Sequence, residues 1–308
     1  MSTITPSRTF HPMKRLFLAL LFLFMTSSQA WSMTITVSTI STDPVDELRV
    51  FKPFADYLAH TLSESGSDID KVDVKIAGSV PQVVNWLKRG KIDLFIDSSI
   101  TALQVNKLSG SQYMLRRWKK GRGEYRSVIF TRADSTISNL GDLKGQVIAF
   151  EEPFSTSGFM LPAIQFGLQG IELESVNSPR DLPSPNVVGT IMAYDNETQV
   201  TWVERDMVGA AAISEGDFSD FEKTALEPLR IVQFTEYVPY HVVSQRADLD
   251  AELADQIKGT LKRVHETEQG RKMLMEFERT SKFDDIPPKL LSNTLKFEPH
   301  LTSLLPVN

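Results

Sequence analysis

The sequence predicts an α/β protein of two lobes closed around a cleft, and three observations lead there. From Met33 onward, short β-branched or apolar runs alternate with stretches of helical spacing, the pattern of strands covered by helices. Two apolar runs, residues 125–131 and 229–234, read as crossings between lobes, which assigns 33–127 and 236–308 to the first lobe and 128–235 to the second. Several strands end directly on hydroxyl or acidic residues, and in an open α/β sheet ligands lie beyond the carboxyl ends of the strands.

Taken in order, residues 33–40 (MTITVSTI) are largely β-branched and predict the first strand, with a polar exit through Ser41. Pro53 suits the first turn of a helix carrying Phe54, Ala55, Leu58 and Leu62, with 45–52 as an irregular or separate turn. Residues 72–76 alternate as a strand does, and Ser79 with Gln82 forms a capping box for a helix stopped by Gly90. Residues 92–96 (IDLFI) predict a buried strand ending on Asp97, Ser98 and Ser99. These face a bound group, and Ser98 or Ser99 is equally suited to cap the helix over 100–108. Residues 187–193 predict a strand, followed by Asn196 and a helix with Val200 and Val203 inward. Residues 207–213 (MVGAAAI) predict a small-residue strand ending on Ser214 and Glu215. A strand over 241–244 re-enters the first lobe at His241, and helices over 250–265 and 268–277 close the chain.

The stretch around which the rest is organised is 146–169. Residues 147–150 (VIAF), between Gly145 and Pro153, predict a buried strand, and Ser155-Thr156-Ser157-Gly158 stands where a helix begins. A helix start leaves amide N–H groups without partners and carries the positive end of the dipole, so three hydroxyls there suit an oxyanion. The competing role is simpler: one serine caps the helix.

Composition bounds the rest. A net charge of −6 in 308 residues argues against nucleic acid as a partner. The absence of cysteine excludes disulfides, thiolate metal sites, a cysteine nucleophile and a lipid-modified N-terminal cysteine. Of His60, His241, His265 and His300, only His241 falls near the predicted cleft, and no G-x-S-x-G elbow, H-x-H or H-E-x-x-H pattern is present. The expectation is a binding protein, not an enzyme, with no metal and no cofactor. At the N-terminus, Lys14 and Arg15 precede an apolar run, 16–25, that is shorter than the ~20 residues a membrane helix needs. Residues 1–32 read as a secretory signal peptide, cut after Ala30 or after Ser32, with Met1 or Met13 as the start, so that the mature protein is soluble in the periplasm.

The segment SVIFTRADSTISNLGDLKGQVIAFEEPFSTSGFMLPAIQFGL resembles the core of the periplasmic phosphate-, phosphite- and phosphonate-binding proteins of ABC importers, and the likeness extends over residues 34–287. The resemblance implies a type II periplasmic binding protein fold, two lobes joined by two crossings, with the S-T-S-G segment holding phosphoryl oxygens. It implies a monomer that delivers a small oxyanion to an ABC permease, or that signals to a membrane receptor kinase as a sensor. The ligand residues are expected to be Ser155, Thr156, Ser157 and Gly158 from the second lobe and Asp97, Ser98 and Ser41 from the first. Asn196, Glu215 and His241 complete that expected set.

Departures from the family narrow the ligand. Asp97 stands where amino-phosphonate binders carry an aromatic hydroxyl, Asn196 stands where they carry a histidine, and residues 238–241 offer no acid for an ammonium group. Asp97 is expected to accept a proton from phosphate or phosphite and so reject sulfate, or else to cap a helix or pair with Arg126.

Overall fold

The computed structural model describes residues 1–2 and 33–304, so the expected signal peptide lies outside the described residues. The chain first forms β1 (Met33–Ile40), β2 (Ile69–Ala77), β3 (Leu94–Ser98), β4 (Gln112–Lys119) and the short β5 (Glu124–Tyr125). It then forms β6 (Ser127–Arg132), β7 (Val147–Phe150), β8 (Leu173–Ser175), β9 (Val188–Met192), β10 (Ala210–Ser214) and β11 (Leu229–Phe234). It returns through β12 (Val238–Pro239), β13 (His241–Gln245) and β14 (Thr280–Asp284).

These strands build two six-stranded sheets, in the orders β14-β4-β13-β3-β1-β2 and β11-β6-β10-β7-β9-β8. The first sheet takes both ends of the chain and the second takes its middle. Strands β5 and β12 pair antiparallel, Val238 opposite Tyr125, and carry the chain between them. Leu229–Phe234, expected to be the return crossing, is instead the edge strand of the second sheet, because it pairs along β6 from Arg132 to Val128 and so cannot leave that lobe. In the first sheet β3 runs parallel to β1, and in the second β7 runs parallel to β9 and β10. The carboxyl ends of β3, β7 and β10 meet in the gap between the sheets.

Helices cover the sheets: α1 (Pro44–Glu64), α2 (Val80–Lys88), α3 (Ser99–Ser109), α4 (Leu161–Leu168), α5 (Asn196–Glu204), α6 (Glu215–Phe221), α7 (Ala251–Arg263), α8 (Glu268–Glu276) and α9 (Pro288–Leu295). Helix α1 corrects the expectation of a start at Pro53. It begins at Pro44, where the Asp43 side chain accepts from Asp46 N–H, and runs through Pro53. An interior proline costs about 3 kcal/mol in lost hydrogen bonding and ring clash. Burial of Phe51, Phe54, Leu58 and Leu62 outweighs it, with Phe54 stacked on Phe277 at 4.4 Å. In α2 the expected capping box does not form: Ser79 stands at the N-cap but makes no side-chain cap bond, and Gln82 accepts from the N–H of Gly78, one residue before the cap.

Strand β4 was not expected, since QYMLRRWK carries two arginines. Both are buried. Arg116 forms a two-pronged pair with Asp284, and Arg117, fully enclosed, donates to Thr280, the Phe277 carbonyl and Glu278 while lying 3.9 Å from the Phe277 ring centre. Every guanidinium edge that loses water gains a partner, which is the condition for burying such a charge.

A last apolar cluster belongs to neither lobe alone. It joins Ile100 and Leu103 of α3, Met160, Leu161 and Ile164 of the second lobe, Tyr125, Val238 and Tyr240 of the crossing, and Phe297 and Leu301 near the C-terminus.

Candidate functional site

A cavity of about 210 Å³ lies between the two sheets. That is below the ~300 Å³ at which pockets for drug-sized ligands begin, so its natural occupant is a small molecule. The first lobe contributes Asp97 and Ser98 from the end of β3, Lys119 from β4 and His241 from β13. The second contributes Glu151 and Glu152 after β7, the segment Ser155 to Ser157, Asn196, and Ser214 and Asp217 after β10. Tyr125 and Tyr240, from the crossing, complete the wall.

The S-T-S-G segment opens as a single π-turn, Thr156–Met160, continued by α4. Such turns recur at functional positions in helices. Its three hydroxyls have diverged. Ser155 is the cap: its Oγ accepts from Gly158 N–H and donates to Glu151 Oε2 at 2.7 Å. Thr156 reaches across the cleft. Its Oγ1 accepts from the amides of Ile100 (3.1 Å) and Thr101 (3.4 Å) in the first turn of α3 and donates to Ser98 Oγ at 2.9 Å. Ser157 lines the cavity, and its hydroxyl, with that of Thr156, meets Tyr125. Burial holds the Tyr125 phenol well above its ordinary pKa, with those two contacts pulling the other way.

Helix α3 explains why Thr156 is needed. Ser98 stands at its N-cap yet makes no side-chain cap bond, because its hydroxyl is engaged with Asp97, Thr101 and Thr156. The first amides of α3 are therefore satisfied from the opposite lobe. Thr101 Oγ1 adds a bond to the Phe154 carbonyl, Thr42 donates to Glu152 at 2.7 Å, and Lys120 bridges to Asp217 at 2.8 Å. All of these join the lobes in a closed arrangement.

Asp97 is enclosed rather than presented. Its Oδ1 accepts from Ser98 N–H and Oγ, and its Oδ2 accepts from Ile40 N–H and Thr39 Oγ1, tying the ends of β1 and β3 together. Burial pushes its pKa up to about 6 against those four bonds. It neither pairs with Arg126, which bonds Glu215, nor holds a free oxygen toward the cavity, so the expected role as an acceptor of the ligand's proton is not the one its bonds describe. Burial likewise raises Glu151 and Glu152, each eased by a hydroxyl, Ser155 and Thr42 respectively. Asp217 is desolvated too, but the hydrogen bonds and charge of Lys120, with Ser214, hold it below the usual carboxylate range. Desolvation, reinforced by the charges of Lys119 and Arg117, pushes His241 well below its ordinary value, leaving a neutral ring.

Of the residues expected to touch ligand, Ser155, Thr156, Ser157, Asp97, Ser98, Asn196 and His241 line this cavity. Ser41, Gly158 and Glu215 do not. The Ser41 hydroxyl turns back on the Asp43 carbonyl at the α1 entry. Glu215 is drawn to Arg126 (2.7 Å) and Tyr237 (3.0 Å) at the edge of the crossing. Gly158 has its N–H taken by Ser155, and a Cβ there would stand 2.4 Å from Glu151 Cβ, so the glycine serves close packing. Asn196 carries a buried Oδ1 with no partner among the described residues.

Sequence reasoning missed Glu151, Glu152, Asp217, Lys119, Tyr125 and Tyr240. Glu151 was within reach, because β7 ends on it, and the carboxyl-end rule that singled out Asp97 applies equally. The acids missing from residues 238–241 are thus supplied by the second lobe, though Glu151, Glu152 and Asp217 each already have a partner in Ser155, Thr42 and Lys120. Among the described residues no group of His, Asp or Glu is placed to hold a metal ion, and no helix is long and apolar enough to cross a membrane.

Comparison with known proteins agrees with this architecture. XAC2383 from Xanthomonas citri, solved bound to ATP, superposes with a TM-score of 0.80 at 23% identity, covering 89% of this chain and 98% of that one. PhnD1 from Prochlorococcus marinus, solved with methylphosphonate, gives 0.64 at 16% identity, covering 87% and 98%. PA3383 from Pseudomonas aeruginosa, a binding protein component of an ABC phosphonate transporter, gives 0.61 at 16% identity, covering 90% of each. At these identities the likeness shows the fold. The family profile of phosphonate ABC transporter periplasmic substrate-binding proteins matches residues 37–289, and on that match the chain belongs to this family of substrate-binding proteins.

Proposed function

We propose that the cavity captures the phosphoryl head of a phosphonate, phosphate or phosphite and that the closed protein delivers it to an ABC permease. One observation carries this reading: the first amides of α3 hold an oxygen that belongs to the opposite lobe, Thr156 Oγ1. A phosphoryl oxygen accepts from the same kind of donor, and charge makes each such bond about twice as strong as a neutral one. Ser157 and Tyr125 add hydroxyl donors beside it, and the buried amide oxygen of Asn196, without a partner among the described residues, can accept from a protonated P–OH. The head is thus gripped between the starts of two helices, one from each lobe, with no arginine in the lining.

The acids decide which oxyanion suits the site. Glu151 and Glu152 line the cavity with one oxygen each taken by a hydroxyl, Ser155 and Thr42, so their remaining oxygens repel a bare anion and can accept a proton from the ligand. A ligand that carries its own proton fits such walls better than sulfate, which has none to offer. Export follows from the N-terminal signal, cleaved after Ala30 or Ser32, and N-terminal sequencing of the exported protein checks this.

Titration calorimetry with methylphosphonate, phosphate and sulfate tests the reading, on the wild type and on Ser157→Ala. Phosphorus oxyanions should bind, sulfate should not, and Ser157→Ala should weaken binding about tenfold or more. Absence of heat with every phosphorus oxyanion, or unchanged affinity in the variant, would remove the cavity from this role.

A further inference from the structure

The cavity does not end at the crossing tyrosines. A second hollow of about 180 Å³ shares Tyr125, Ser214 and Tyr240 with it and is otherwise lined by Lys120, Arg122, Gly216, Asp220 and Arg279. Where the first chamber is walled by carboxyls, this one is walled by cations. Arg122 and Arg279 have no carboxylate partner among the described residues. The acids nearby are paired with other groups, Asp217 with Lys120 and Ser214, Asp220 with Lys223, and Glu215 with Arg126, although Glu215 also feels the charge of Arg122.

The backbone that presents these cations is held in an unfavourable conformation. Lys120, Glu278 and Arg279 all have φ near +50°, three of the five non-glycine residues with positive φ. Lys120 N–H donates to the Arg279 carbonyl at 3.0 Å, so two separate turns are locked together in this state. Left-handed backbone in residues with long side chains persists only where the surroundings enforce it, and it concentrates at functional sites. Arg122 also reaches over the second lobe: a Cβ on Gly216 would lie 3.1 Å from its guanidinium, so the glycine leaves the space this side chain occupies.

We propose that this annex is a second anion subsite, so that the preferred ligand is an organophosphorus compound carrying a further anionic group, such as a carboxylate, on a short chain. The head rests in the first chamber, as in the function proposed above, on which this inference depends. Tyr125 and Tyr240 are packed edge to face, 4.2 Å between ring centres, so the tail runs beside this pair, past Ser214, which lines both hollows, and its anion meets Arg122 and Arg279. A guanidinium matches a carboxylate with two parallel bonds, and the partial enclosure between lobes limits screening by salt.

The test compares methylphosphonate with phosphonoacetate, 3-phosphonopropionate and 4-phosphonobutyrate by calorimetry. At least one carboxylated probe should bind about tenfold or more tighter than methylphosphonate. Arg122→Gln should erase that preference, Arg122→Lys should retain part of it, and raised salt should shrink it. Circular dichroism and melting curves establish that the variants are folded. If methylphosphonate binds and no carboxylated probe exceeds it, or if the preference survives Arg122→Gln with Arg279→Gln, the annex is overturned while the first chamber stands. If no phosphonate binds at all, both fall together.

Discussion

On the first-lobe side of the cavity, β3 runs through Asp97 and Ser98 into α3. On the second-lobe side, β7 runs through Glu151 and Ser155 into the Thr156–Met160 turn. Both junctions are a strand, an acid, a hydroxyl and a helix start, yet they are finished differently. The second is self-sufficient, with Ser155 capping its own turn. The first is not, since Ser98 is occupied elsewhere and the amides of Ile100 and Thr101 are met by Thr156. One junction is a finished socket and the other is completed only when the lobes come together. Closure therefore satisfies backbone groups that the open protein must leave to water, which favours the closed form even before a ligand contributes.

The largest effect should come from removing the shared oxygen. Thr156→Ala deprives α3 of its acceptor and Ser98 of its donor, and should weaken methylphosphonate binding by about 2–3 kcal/mol. It should also expand the protein in small-angle scattering, and an unchanged radius of gyration would show that α3 does not need its partner lobe. Next is Gly158→Ala, which forces a methyl group against Glu151 and should cost about 1–3 kcal/mol, lowering the melting temperature by several degrees. Ser155→Ala comes third. Loss of a single cap should cost about 1 kcal/mol and leave the contacts of Thr156 with α3 intact, so stability should fall more than affinity in paired calorimetric measurements.

Asp97 supplies a test by pH. Its carboxyl, ionising near 3.8 when unfolded, is pushed up to about 6 in the fold, so between these values the folded protein holds a proton that the unfolded chain has released. Stability contributed by this group is present below about pH 4, falls as pH rises to about 6, and then stays level, a loss of about 3 kcal/mol. Asp97→Asn lacks that slope. The advantage of wild type over the variant in denaturant titrations should therefore be largest near pH 4 and shrink by that amount by pH 6. The smallest effect belongs to Glu215→Gln. Its half-buried pair with Arg126 lies outside the cavity, and because the amide oxygen of glutamine can still accept from Arg126 and Tyr237 the change should cost about 1 kcal/mol or less in stability and leave the methylphosphonate affinity within twofold.

How far these features were legible in the sequence depended on whether their cause was local. The strand ends at Asp97 and Ser214 and the hydroxyl run at Ser155 follow from alternation and from the rule that ligands lie at carboxyl ends. The full length of α1 was hidden because Pro53 looks like a start, and only the aromatic packing of Phe51 and Phe54 on Phe277 shows why the helix tolerates it. Strand β4 was hidden because adjacent arginines look like surface, and their partners Asp284 and Glu278 lie far along the chain. Tyr125 and Tyr240 reach the cavity through the pairing of β5 with β12, a long-range register that no local pattern encodes. The divergence of the three hydroxyls in the S-T-S segment was invisible for the same reason, since it is α3, not the segment, that sets the task of Thr156.

The apolar cluster behind the crossing bears on how the cargo is unloaded. Ile100 and Leu103 on one side and Met160, Leu161 and Ile164 on the other are glued through Tyr125, Tyr240, Phe297 and Leu301. Swinging the jaws apart at the front must shear or part this seam at the rear. Each 100 Å² of it laid open to water resists by about 2.5 kcal/mol, enough to slow escape by well over tenfold. Residence time is then governed in part from this seam, and because Tyr125 and Tyr240 belong both to it and to the cavity wall, a permease that parts the seam loosens the grip on the cargo at the same stroke.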